Sequence, residues 1–313
     1  MKIFITGGHG MVGRNLVTSD LSRLHKLHVP HRSELDLRNK GEVRRYLQEF
    51  KPDLIIHAAG RVGGIDANIA HPYEFLLENL ELGTNLISAA ADYGVPRLIN
   101  LASSCIYPKD CSGTLSEDML LSGPLEPTNE GYALAKISAL KLCELIRFSA
   151  KPLHYKTLIP CNLFGPYDKF DLATAHLIPA IITKIQKAKK NKLSTVEVWG
   201  KGEARREFMY VGDLVFAIKM AIKNYDSMPY LMNIGVGKDH SVLQYYQAVA
   251  EALKWDGNFT FNDKKPEGMR RKLLSINRQS DWGFAPKHSL IDGISKTNEY
   301  YLRSIQASNI NTH

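Results

Sequence analysis

Three side chains with reactive heteroatoms, Ser103, Ser104 and Cys105, stand side by side in the segment ASSCIYP. The segment follows an apolar run, residues 97–101, that has the composition of a buried strand. An aromatic residue and a proline then stop the strand, because proline has no backbone N–H to donate to a sheet. The pattern predicts a row of reactive groups at the edge of a sheet; the alternative is a polar loop with a buried thiol.

A second pair with acid–base character is Tyr132 and Lys136, which are spaced i and i+4 in NEGYALAKISALKLCE. On a helix this spacing places the two side chains on one face. A phenol has an ordinary pKa of about 10; an adjacent ammonium favours its anion, and Ser103 can hydrogen-bond the same oxygen. We therefore predict a proton-transfer unit of Ser103, Tyr132 and Lys136. The alternative is an ordinary surface pair.

A glycine pattern lies in KIFITGGHGMVGRNL, where Gly7, Gly10 and Gly13 connect a predicted strand to a predicted helix. Glycine permits a tight turn and lets a phosphate approach the backbone at the start of the helix. The pattern predicts a dinucleotide-binding turn rather than a merely structural one.

The end of the second predicted strand selects the dinucleotide, since an acid there binds the ribose 2′-hydroxyl and a basic residue accepts a 2′-phosphate. In LHVPHRSELDL this position is taken by His31 and Arg32, and Glu34 follows closely enough to be the acid. We predict NADP rather than NAD because of Arg32, and we assign Asp36 and Leu37 to the adenine side. HAAGRVGG, after the third strand, supplies small residues that allow close approach to the cofactor.

These side chains can meet only if the elements between them form a parallel sheet. Short β-rich runs alternate with longer helical patterns. The predicted strands are Lys2–Thr6, Lys26–Pro30, Leu54–His57, Arg97–Leu101 and Tyr155–Ile159, and the predicted helices are Met11–Leu21, Lys40–Phe50, Pro72–Tyr93 and Glu130–Arg147. Right-handed crossovers then put helices on both faces of the sheet and ligands at the carboxyl ends of its strands.

After Pro160 the alternation gives way to shorter strands and Gly-Lys turns. We predict an α/β fold with a doubly wound parallel-sheet Rossmann domain, residues 1–160 plus about 208–236, that binds NADP. Residues from about 161 to 207 and from 237 to 313 are predicted to form a smaller α/β lobe that binds the substrate.

The composition limits the classes of protein and partner. With 313 residues and 44% hydrophobic content, the chain can bury a sizeable core. Its apolar runs are too short to span a bilayer and no leader precedes the first strand, which favours a cytoplasmic protein. The formal charge is +8, but the densest basic stretch, KIQKAKKNK, lacks interleaved aromatic residues, so we predict neither nucleic-acid nor membrane binding. The four cysteines form no CxxC pair and are predicted to be free thiols rather than metal ligands.

Several spaced motifs together resemble one protein family. The glycine pattern, ASSCIYP, the YxxxK pair, PCNLFGPYD and VWGKGEARREFMYVGD resemble the extended short-chain dehydrogenases/reductases that act on nucleotide sugars. More narrowly, HGMVG, VGGIDAN, LEPTNEGYALAKI, AHLIPAII and KPEGMRRKLL are similar to the GDP-L-fucose synthases, which are GDP-4-keto-6-deoxy-mannose 3,5-epimerase/4-reductases.

The resemblance implies a role for each reactive side chain. Ser103, Tyr132 and Lys136 would form the reductase triad, with hydride passing from NADPH to the sugar C4 carbonyl while Tyr132 donates a proton to the developing alkoxide. Cys105 and His176 would form the epimerase pair, because the C4 ketone acidifies the hydrogens on C3 and C5. The thiolate would remove a proton from one face, and the imidazolium would return one to the other.

The resemblance also implies two binding surfaces and a homodimer. The cofactor-binding residues assigned on the sequence patterns and the resemblance are Gly7, Gly10, Met11, Val12, Gly13, Arg32, Asp36, Leu37, Ala58, Ala59, Gly60, Tyr132, Lys136, Pro160, Asn162, Leu163 and His176. The substrate-binding residues it implies are Ser104, Cys105, Asn162, Lys184, Trp199, Arg206 and Lys272. Helices 72–93 and 130–147 would pair across a two-fold axis.

Because the sequence departs from the family pattern at two positions, it does not identify the sugar of the substrate. His9 stands where the family has a basic residue, and Lys184 stands where it often has arginine, whose bidentate fork a lysine cannot reproduce. The loop FGPYDKFDLATAH does not distinguish a 6-deoxyhexose from a heptose. One alternative is a GDP-4-keto-heptose C4-reductase acting after a separate epimerase, in capsule or lipopolysaccharide sugar synthesis. Another is a catalytically silent nucleotide-binding protein.

Overall fold

The computed structural model describes residues 1–111, 113–149, 153–172, 174–262 and 269–310. Residues 265–268, the first four of the motif KPEGMRRKLL, lie outside the described residues. The strands are β1 (Lys2–Thr6), β2 (Lys26–His28), β3 (Leu54–His57), β4 (Leu98–Leu101), β5 (Lys156–Pro160), β6 (Asn162–Phe164), β7 (Thr195–Trp199), β8 (Arg205–Arg206), β9 (Phe208–Tyr210), β10 (Leu231–Ile234), β11 (His240–Ser241), β12 (Asn258–Asn262) and β13 (Arg271–Lys272).

Helices separate most of the strands. The α-helices are α1 (Met11–Val17), α2 (Leu21–Leu24), α3 (Lys40–Phe50), α4 (Ile65–Ala70), α5 (Pro72–Asp92), α6 (Glu130–Leu145), α7 (Leu177–Lys190), α8 (Val211–Lys223), α9 (Val242–Leu253), α10 (Asn277–Asp281) and α11 (Leu290–Ile310). Short 3₁₀ helices cover Ser104–Ile106, Glu117–Met119, Pro127–Asn129 and Ile146–Phe148. None of the described helices is both long enough and apolar enough to cross a membrane.

A six-stranded parallel sheet forms the centre of the fold, in the order β10-β5-β4-β3-β1-β2. In its register, Ile3 of β1 lies beside Leu54 of β3, and β10 joins next to β5 although it comes much later in the chain. Because all the strands run in one direction, their carboxyl ends share one edge of the sheet. The loops after β1, β3 and β4 therefore meet at that edge, and the predicted parallel α/β fold is confirmed.

The two faces of the sheet follow from alternation of side chains along its strands. Ile3 and Ile5 of β1 belong to the hydrophobic cluster that includes α1 and α8. Phe4, between them, belongs to a second cluster that includes α3, α5 and residues of α6. All three residues are fully buried. Helices thus cover both faces, as a doubly wound fold requires.

The predicted helix Met11–Leu21 is wrong, because it is interrupted after Val17. The hydroxyls of Thr18 and Ser19 donate hydrogen bonds back to the carbonyls of Arg14 and Leu16. Such local side-chain bonds compete with continuation of a helix. The second strand is shorter than predicted, since it ends at His28 instead of Pro30.

A separate hydrophobic cluster forms around α7, α9, α11 and β7. It contains buried Ile181 and Val198, together with Tyr245 from α9. The strands outside the large sheet form the small sheets β12-β7, β11-β8-β13 and β6-β9 in the described part of the chain. Leu274 and Phe284 lie in the part of the chain that was predicted to form the smaller lobe. Both belong to the hydrophobic cluster that contains Ile3 and Ile5 of the large sheet.

Candidate active site

The serine–cysteine row begins where β4 ends. Ser103 is the N-cap of the 3₁₀ helix Ser104–Ile106, and its hydroxyl oxygen accepts a hydrogen bond from the backbone N–H of Cys105 at 3.4 Å. Ser104 and Cys105 are buried. The hydroxyl of Tyr107 donates to Asn233 Oδ1 of β10 at 2.6 Å, which anchors the segment to the sheet. The row is therefore a fixed turn at the carboxyl edge of the sheet.

Helix α6 brings Tyr132 and Lys136 to the same edge. The ammonium of Lys136 donates to the carbonyl of Leu101, the last residue of β4, at 3.1 Å, and lies 5.7 Å from the centre of the Tyr132 ring. Burial lowers the pKa of Lys136 to about 8. The structure thus brings together the three groups that the sequence predicted for proton transfer.

The protonation state of Tyr132 differs from the sequence argument. Lys136 was expected to favour the phenolate, whereas burial raises the pKa of Tyr132 well above its ordinary value. The neighbouring Cys105 adds to this rise, and hydrogen bonding to Ser103 opposes it. Desolvation is the largest of these influences on the pKa, so the phenol of Tyr132 is protonated at neutral pH.

Cys105 shows the same effect of burial. Desolvation raises the pKa of its thiol, and the positive charge of Lys272 is the largest of the influences that lower it. The pKa of Lys272 is itself lowered by burial, while Cys105 raises it. Cys105 is a neutral thiol in this arrangement, in contrast to the predicted thiolate, and Lys272 is the cation that favours its ionisation.

His176 is the residue that immediately precedes α7. Burial, reinforced by the positive charge of Lys169, lowers the pKa of its imidazole. The expected imidazolium is therefore a neutral imidazole here. The role of the Cys105 and His176 pair stays a prediction.

A cleft of about 460 Å³ opens at the carboxyl ends of β1, β2 and β3, within the usual range for small-molecule and cofactor sites. Its lining consists of Phe4, Thr6, Gly7, Gly8, His9, Gly10, Pro30, His31, Arg32, Leu35, Asp36, Leu37, Arg38, Ala59, Gly60, Arg61, Glu78 and Leu82. Of the residues predicted to bind the cofactor, seven are in this lining: Gly7, Gly10, Arg32, Asp36, Leu37, Ala59 and Gly60.

The glycine turn that borders the cleft has no room for side chains. Gly7 has a φ of +68°, and a Cβ there would lie 2.7 Å from the backbone of Ala58. A Cβ on Gly13 would lie 2.3 Å from the carbonyl oxygen of Gly7. The turn and the first helical residues therefore pack backbone against backbone, which leaves the concave cradle that a dinucleotide phosphate requires.

The cleft and the proton-transfer group are adjacent. A Cβ on Gly60, which lines the cleft, would lie 3.5 Å from Nζ of Lys136 and 3.1 Å from Oδ1 of Asn79. Buried Asn79 holds the backbone of Arg61 through both its amide atoms. A ligand that fills the cleft as far as Gly60 therefore reaches the neighbourhood of Lys136.

The other residues predicted to bind the cofactor are not part of this lining. Met11, Val12 and Gly13 form the start of α1, and Ala58 follows β3. Pro160 ends β5, and Asn162 and Leu163 begin β6. The cofactor predictions omitted His9, His31, Arg38, Arg61 and Glu78 of the lining. The sequence feature that could have identified Arg61 was its position directly after Gly60, which was predicted to bind the cofactor.

The end of the cleft that is lined by Arg32, Asp36 and Arg38 carries both positively and negatively charged side chains. Asp36 is bound by Arg38 through both carboxylate oxygens, the shorter contact being 2.6 Å, while Arg32 lies 3.9 Å away. The hydrogen bonds from Arg38, opposed by some desolvation, lower the pKa of Asp36. The carboxylate of Glu34 accepts the backbone N–H of His31 at 2.7 Å. Glu34 is thus held within its own turn.

Apart from Ser104 and Cys105 in the serine–cysteine row, the residues predicted to bind the substrate form two groups. Trp199 ends β7 and is partly exposed, with Nζ of Lys184 lying 5.2 Å from its ring centre. The same ammonium donates to the carbonyl of Glu197 at 2.9 Å and contacts the Tyr246 hydroxyl at 3.1 Å. An aromatic face and a cation are therefore fixed together.

The second group lies on the β8-β13 pair, where Arg206 and Lys272 are opposite each other. Asn162 donates to the carbonyl of Glu207 at 2.9 Å. The buried Glu207 carboxylate accepts backbone N–H groups from Val236, Gly237 and Leu274. Three chain segments are thereby joined beside Arg206 and Lys272.

The chain is similar to several known proteins in sequence and in structure. A GDP-L-colitose synthase from Yersinia pseudotuberculosis is 50% identical over 302 residues, which is 96% of this chain and 98% of that protein. A GDP-L-fucose synthase from Azorhizobium caulinodans is 46% identical over 301 residues, 96% of each chain. The structure of a GDP-mannoheptose C4 reductase from Campylobacter jejuni with NADP bound is similar, with a TM-score of 0.85, 28% identity and coverage of 96% and 98%.

The family description NAD dependent epimerase/dehydratase matches residues 3–235. That range contains the glycine turn, the serine–cysteine row, Tyr132 and Lys136. On the evidence of this match and of a relative identical at half of the aligned positions, the chain belongs to the NAD dependent epimerase/dehydratase family.

Proposed function

We propose that this protein is an NADPH-dependent oxidoreductase that reduces the C4 ketone of a GDP-4-keto sugar and also epimerises C3 and C5. The observation that carries the proposal is the packing of Lys136, with Tyr132 and Ser103, against the glycine-lined cleft. The names of the two relatives and the C4 reductase structure support a GDP-sugar as the substrate.

The cleft fits a dinucleotide. Gly7, Gly10 and Gly13 would admit the pyrophosphate, Arg32 would bind the 2′-phosphate, and Asp36 and Leu37 would border the adenine. NADPH, when bound, supplies the hydride that reduces C4. The chain itself must orient the ketone, exclude water and provide the proton.

Tyr132 provides that proton. Its raised pKa keeps the phenol protonated, so the hydroxyl can donate to the oxygen on C4 as negative charge develops there. The Ser103 hydroxyl would donate a hydrogen bond to the same sugar oxygen on C4 and orient it. Lys136, fixed by the carbonyl of Leu101, stabilises the phenolate that remains.

Cys105 and His176 would perform the epimerisation. The thiolate of Cys105 takes the proton from C3 or C5, and the electron pair of that bond moves onto the C4 oxygen as an enolate. His176 then donates a proton to the opposite face of the same carbon. Thiol with neutral imidazole and thiolate with imidazolium contain the same number of protons, and Lys272 favours the thiolate form.

The GDP-sugar would bind at these two groups of residues predicted for the substrate. Trp199 offers a flat face for the guanine, with Lys184 beside it. Arg206 and Lys272 would bind the diphosphate through charge-assisted hydrogen bonds, and Asn162 the hexose. The proposal includes the two-part division of the chain, with residues 161–207 and 237–313 binding the substrate.

The proposal also includes a cytoplasmic homodimer. Tyr73 and Leu134 are large exposed apolar residues on α5 and α6, the two helices expected to form the dimer contact. Burying such residues against a second copy is a common solution for exposed apolar helix faces.

The identity of the sugar is tested by product analysis. Purified protein is incubated with NADPH and a panel of GDP-4-keto sugars in deuterated water, and the products are identified by NMR. We expect deuterium at C3 and C5 with GDP-4-keto-6-deoxy-mannose. Reduction without deuterium at either carbon would favour the heptose alternative, in which a separate enzyme epimerises the sugar. Preferential turnover of the GDP-linked precursor of colitose would favour the sugar named for the Yersinia relative.

Two variants separate the steps. Cys105→Ser is expected to abolish deuterium incorporation and to retain reduction of a sugar that is already epimerised. Tyr132→Phe is expected to lower the rate of reduction by about 10²–10⁴-fold, because it removes the general acid. Tyr155→Phe is the matched control, since the buried Tyr155 hydroxyl donates to Val95 away from the site. Unchanged reduction by Tyr132→Phe would favour the catalytically silent alternative.

A further inference from the structure

The loop between β6 and α7 contains a tyrosine with an unfavourable backbone conformation. Gly165, Pro166, Tyr167 and Asp168 form a turn in which the backbone N–H of Asp168 donates to the carbonyl of Gly165 at 3.3 Å. Tyr167, in the third position, has a φ of +67°. Proline in the second position and a positive φ in the third are typical of a type II turn, which favours glycine in the third position. The tyrosine is therefore present at a conformational cost.

The ring of Tyr167 makes contacts that a glycine could not make. The guanidinium carbon of Arg14, on α1, lies 5.4 Å from its centre, and the ring of Tyr300, on α11, lies 4.8 Å from it. Burial raises the pKa of Tyr300, and hydrogen bonding from Arg14 opposes this rise. The three side chains thus form one cluster that joins the turn to two helices.

The backbone of the same loop is attached on both sides of Tyr167. The side-chain amide of Asn15 donates to the carbonyl of Pro166 at 2.9 Å and to that of Met11, at the start of α1, at 2.8 Å. Further along, the carbonyl of Phe170 accepts the hydroxyl of Thr183, in α7, at 3.0 Å. Residues 165–170 therefore connect the helix that follows the glycine turn to the helix that follows His176.

The 165–170 loop also lies close to His176. Burial lowers the pKa of this imidazole, and the charge of Lys169, which belongs to the loop, lowers it further. His176 directly precedes α7, to which the loop is bound through Thr183. The position of the imidazole therefore depends on the position of the loop.

We propose that Tyr167, held by Arg14 and Tyr300, is a positioning residue for epimerisation, because it fixes the 165–170 loop and thereby the imidazole of His176. The inference rests on the proposed function, since it requires His176 to deliver a proton to the sugar. Strained backbone conformations persist where the surrounding structure holds them, and they are concentrated at functional sites.

The reduction should depend much less on this cluster. Tyr132 and Lys136 lie on α6, and Ser103 directly follows β4. The contacts of Tyr167, by contrast, lie on α1 and α11. Loss of the ring should therefore slow the proton transfers at C3 and C5 more than the reduction of C4.

Two assays on the full chain measure the steps separately. For epimerisation, the protein is incubated in deuterated water with GDP-4-keto-6-deoxy-mannose and NADP⁺, which has no hydride to transfer, and NMR follows deuterium entering C3 and C5. A C–H bond breaks as Cys105 takes the proton, and a C–D bond forms as His176 delivers a deuteron, so the exchange needs no oxidant or reductant. For reduction, oxidation of NADPH is followed with a sugar that is already epimerised.

Replacing the tyrosine by glycine removes the ring without straining the turn, because glycine adopts a positive φ readily. Tyr167→Gly is expected to slow deuterium exchange by about 10–10²-fold and to leave reduction within about twofold of the wild type, as expected for a misplaced catalytic group. Tyr167→Phe keeps the ring and should retain exchange. Lys51→Gly is the matched control, because exposed Lys51 has a φ of +47° and precedes β3, at the opposite edge of the sheet.

A second variant tests the same cluster from α1. Arg14 is exposed, so Arg14→Gln does not alter the core, and it should slow exchange in the same direction as Tyr167→Gly. The double variant should be no slower than Tyr167→Gly, because residues that act through one shared contact are not additive. Arg14→Gln also provides the test if Tyr167→Gly does not fold.

Three results would overturn the inference: unchanged exchange in Tyr167→Gly and Arg14→Gln, equal loss of exchange and reduction in both, or a loss in Tyr167→Phe as large as in Tyr167→Gly. The proposed function would stand in each of these cases, provided that the wild type exchanges deuterium. A wild type that reduces the epimerised sugar without exchanging deuterium would overturn both the inference and the epimerase part of the proposed function.

Discussion

At the scale of single residues, burial determines the protonation of the side chains proposed to be catalytic. Lys136 is buried, yet within the described part of the chain its ammonium has one hydrogen bond, to the carbonyl of Leu101, and the nearby thiol of Cys105 is neutral. A buried ammonium with so little compensation destabilises the fold. The same ammonium lies beside Tyr132, where it is needed to stabilise a phenolate. Lys136 thus reduces stability where it serves the proposed reaction.

We therefore expect the Lys136→Met variant to have a higher free energy of unfolding than the wild type and to lose catalytic turnover. The folded-state pKa of about 8 lies below the ordinary 10.5, so replacement should raise the free energy of unfolding at neutral pH by about 1–3 kcal/mol. Between these two pKa values the unfolded chain binds more protons, so the wild type gains stability as the pH rises. Urea unfolding at several pH values should show the difference shrinking over that interval. A variant less stable than the wild type at neutral pH would contradict this account.

At the scale of elements, the turn between β1 and α1 depends on the absence of side chains. A Cβ added to Gly13 would lie 2.3 Å from the backbone carbonyl oxygen of Gly7 and 2.4 Å from the Cα of Gly8. Backbone atoms on both sides cannot move aside as a flexible side chain would. The start of α1 is therefore held against the turn that borders the cleft.

Gly13→Ala is accordingly expected to lower the affinity for NADPH at least tenfold and to destabilise the protein by about 1–3 kcal/mol through overpacking. Gly41→Ala is the matched control, because a Cβ there meets only the Asn39 side chain, at 3.4 Å. Gly41 lies in α3, where alanine favours the helix by roughly 0.5–1 kcal/mol. Fluorescence titration with NADPH and thermal unfolding measure both effects. Equal behaviour of the two variants would show that the close packing at Gly13 is not required.

At the scale of the whole molecule, the candidate site combines the sheet with strands from the rest of the chain. Cys105 follows β4, whereas Lys272, which acts on its charge, belongs to β13. The carboxylate of Glu207 joins the segments at Val236 and Leu274 beside this pair. Ligands that bind along the cleft and beside β13 should therefore stabilise the fold as a whole.

The expected stabilisation follows from the affinity. NADPH at a hundredfold excess over its Kd should raise the free energy of unfolding by about 2.7 kcal/mol. NADH at the same concentration should raise it less, because it lacks the 2′-phosphate. Thermal unfolding with each nucleotide measures the difference, and 5′-AMP at that concentration is the control. Greater stabilisation by NADH would contradict the assignment of NADP.

The sequence by itself determined those features that depend on neighbouring residues. Strands β1 and β3 and helix α3 were predicted at their observed bounds, because alternation and helical periodicity are local properties. The glycine turn and the spacing of Tyr132 and Lys136 were predictable for the same reason. Even there, the helix after the turn was predicted too long, since the side chains of Thr18 and Ser19 bond the preceding carbonyls.

Only the tertiary structure decided the properties that depend on distant segments. The pKa values of Tyr132 and Cys105 are raised because packing removes them from water, and no local pattern reports the extent of burial. The contact between His9 and His31 arises from the pairing of two strands separated along the chain. Sequence spacing specifies which groups are available, whereas their distances and desolvation are set by the packing of the whole sheet.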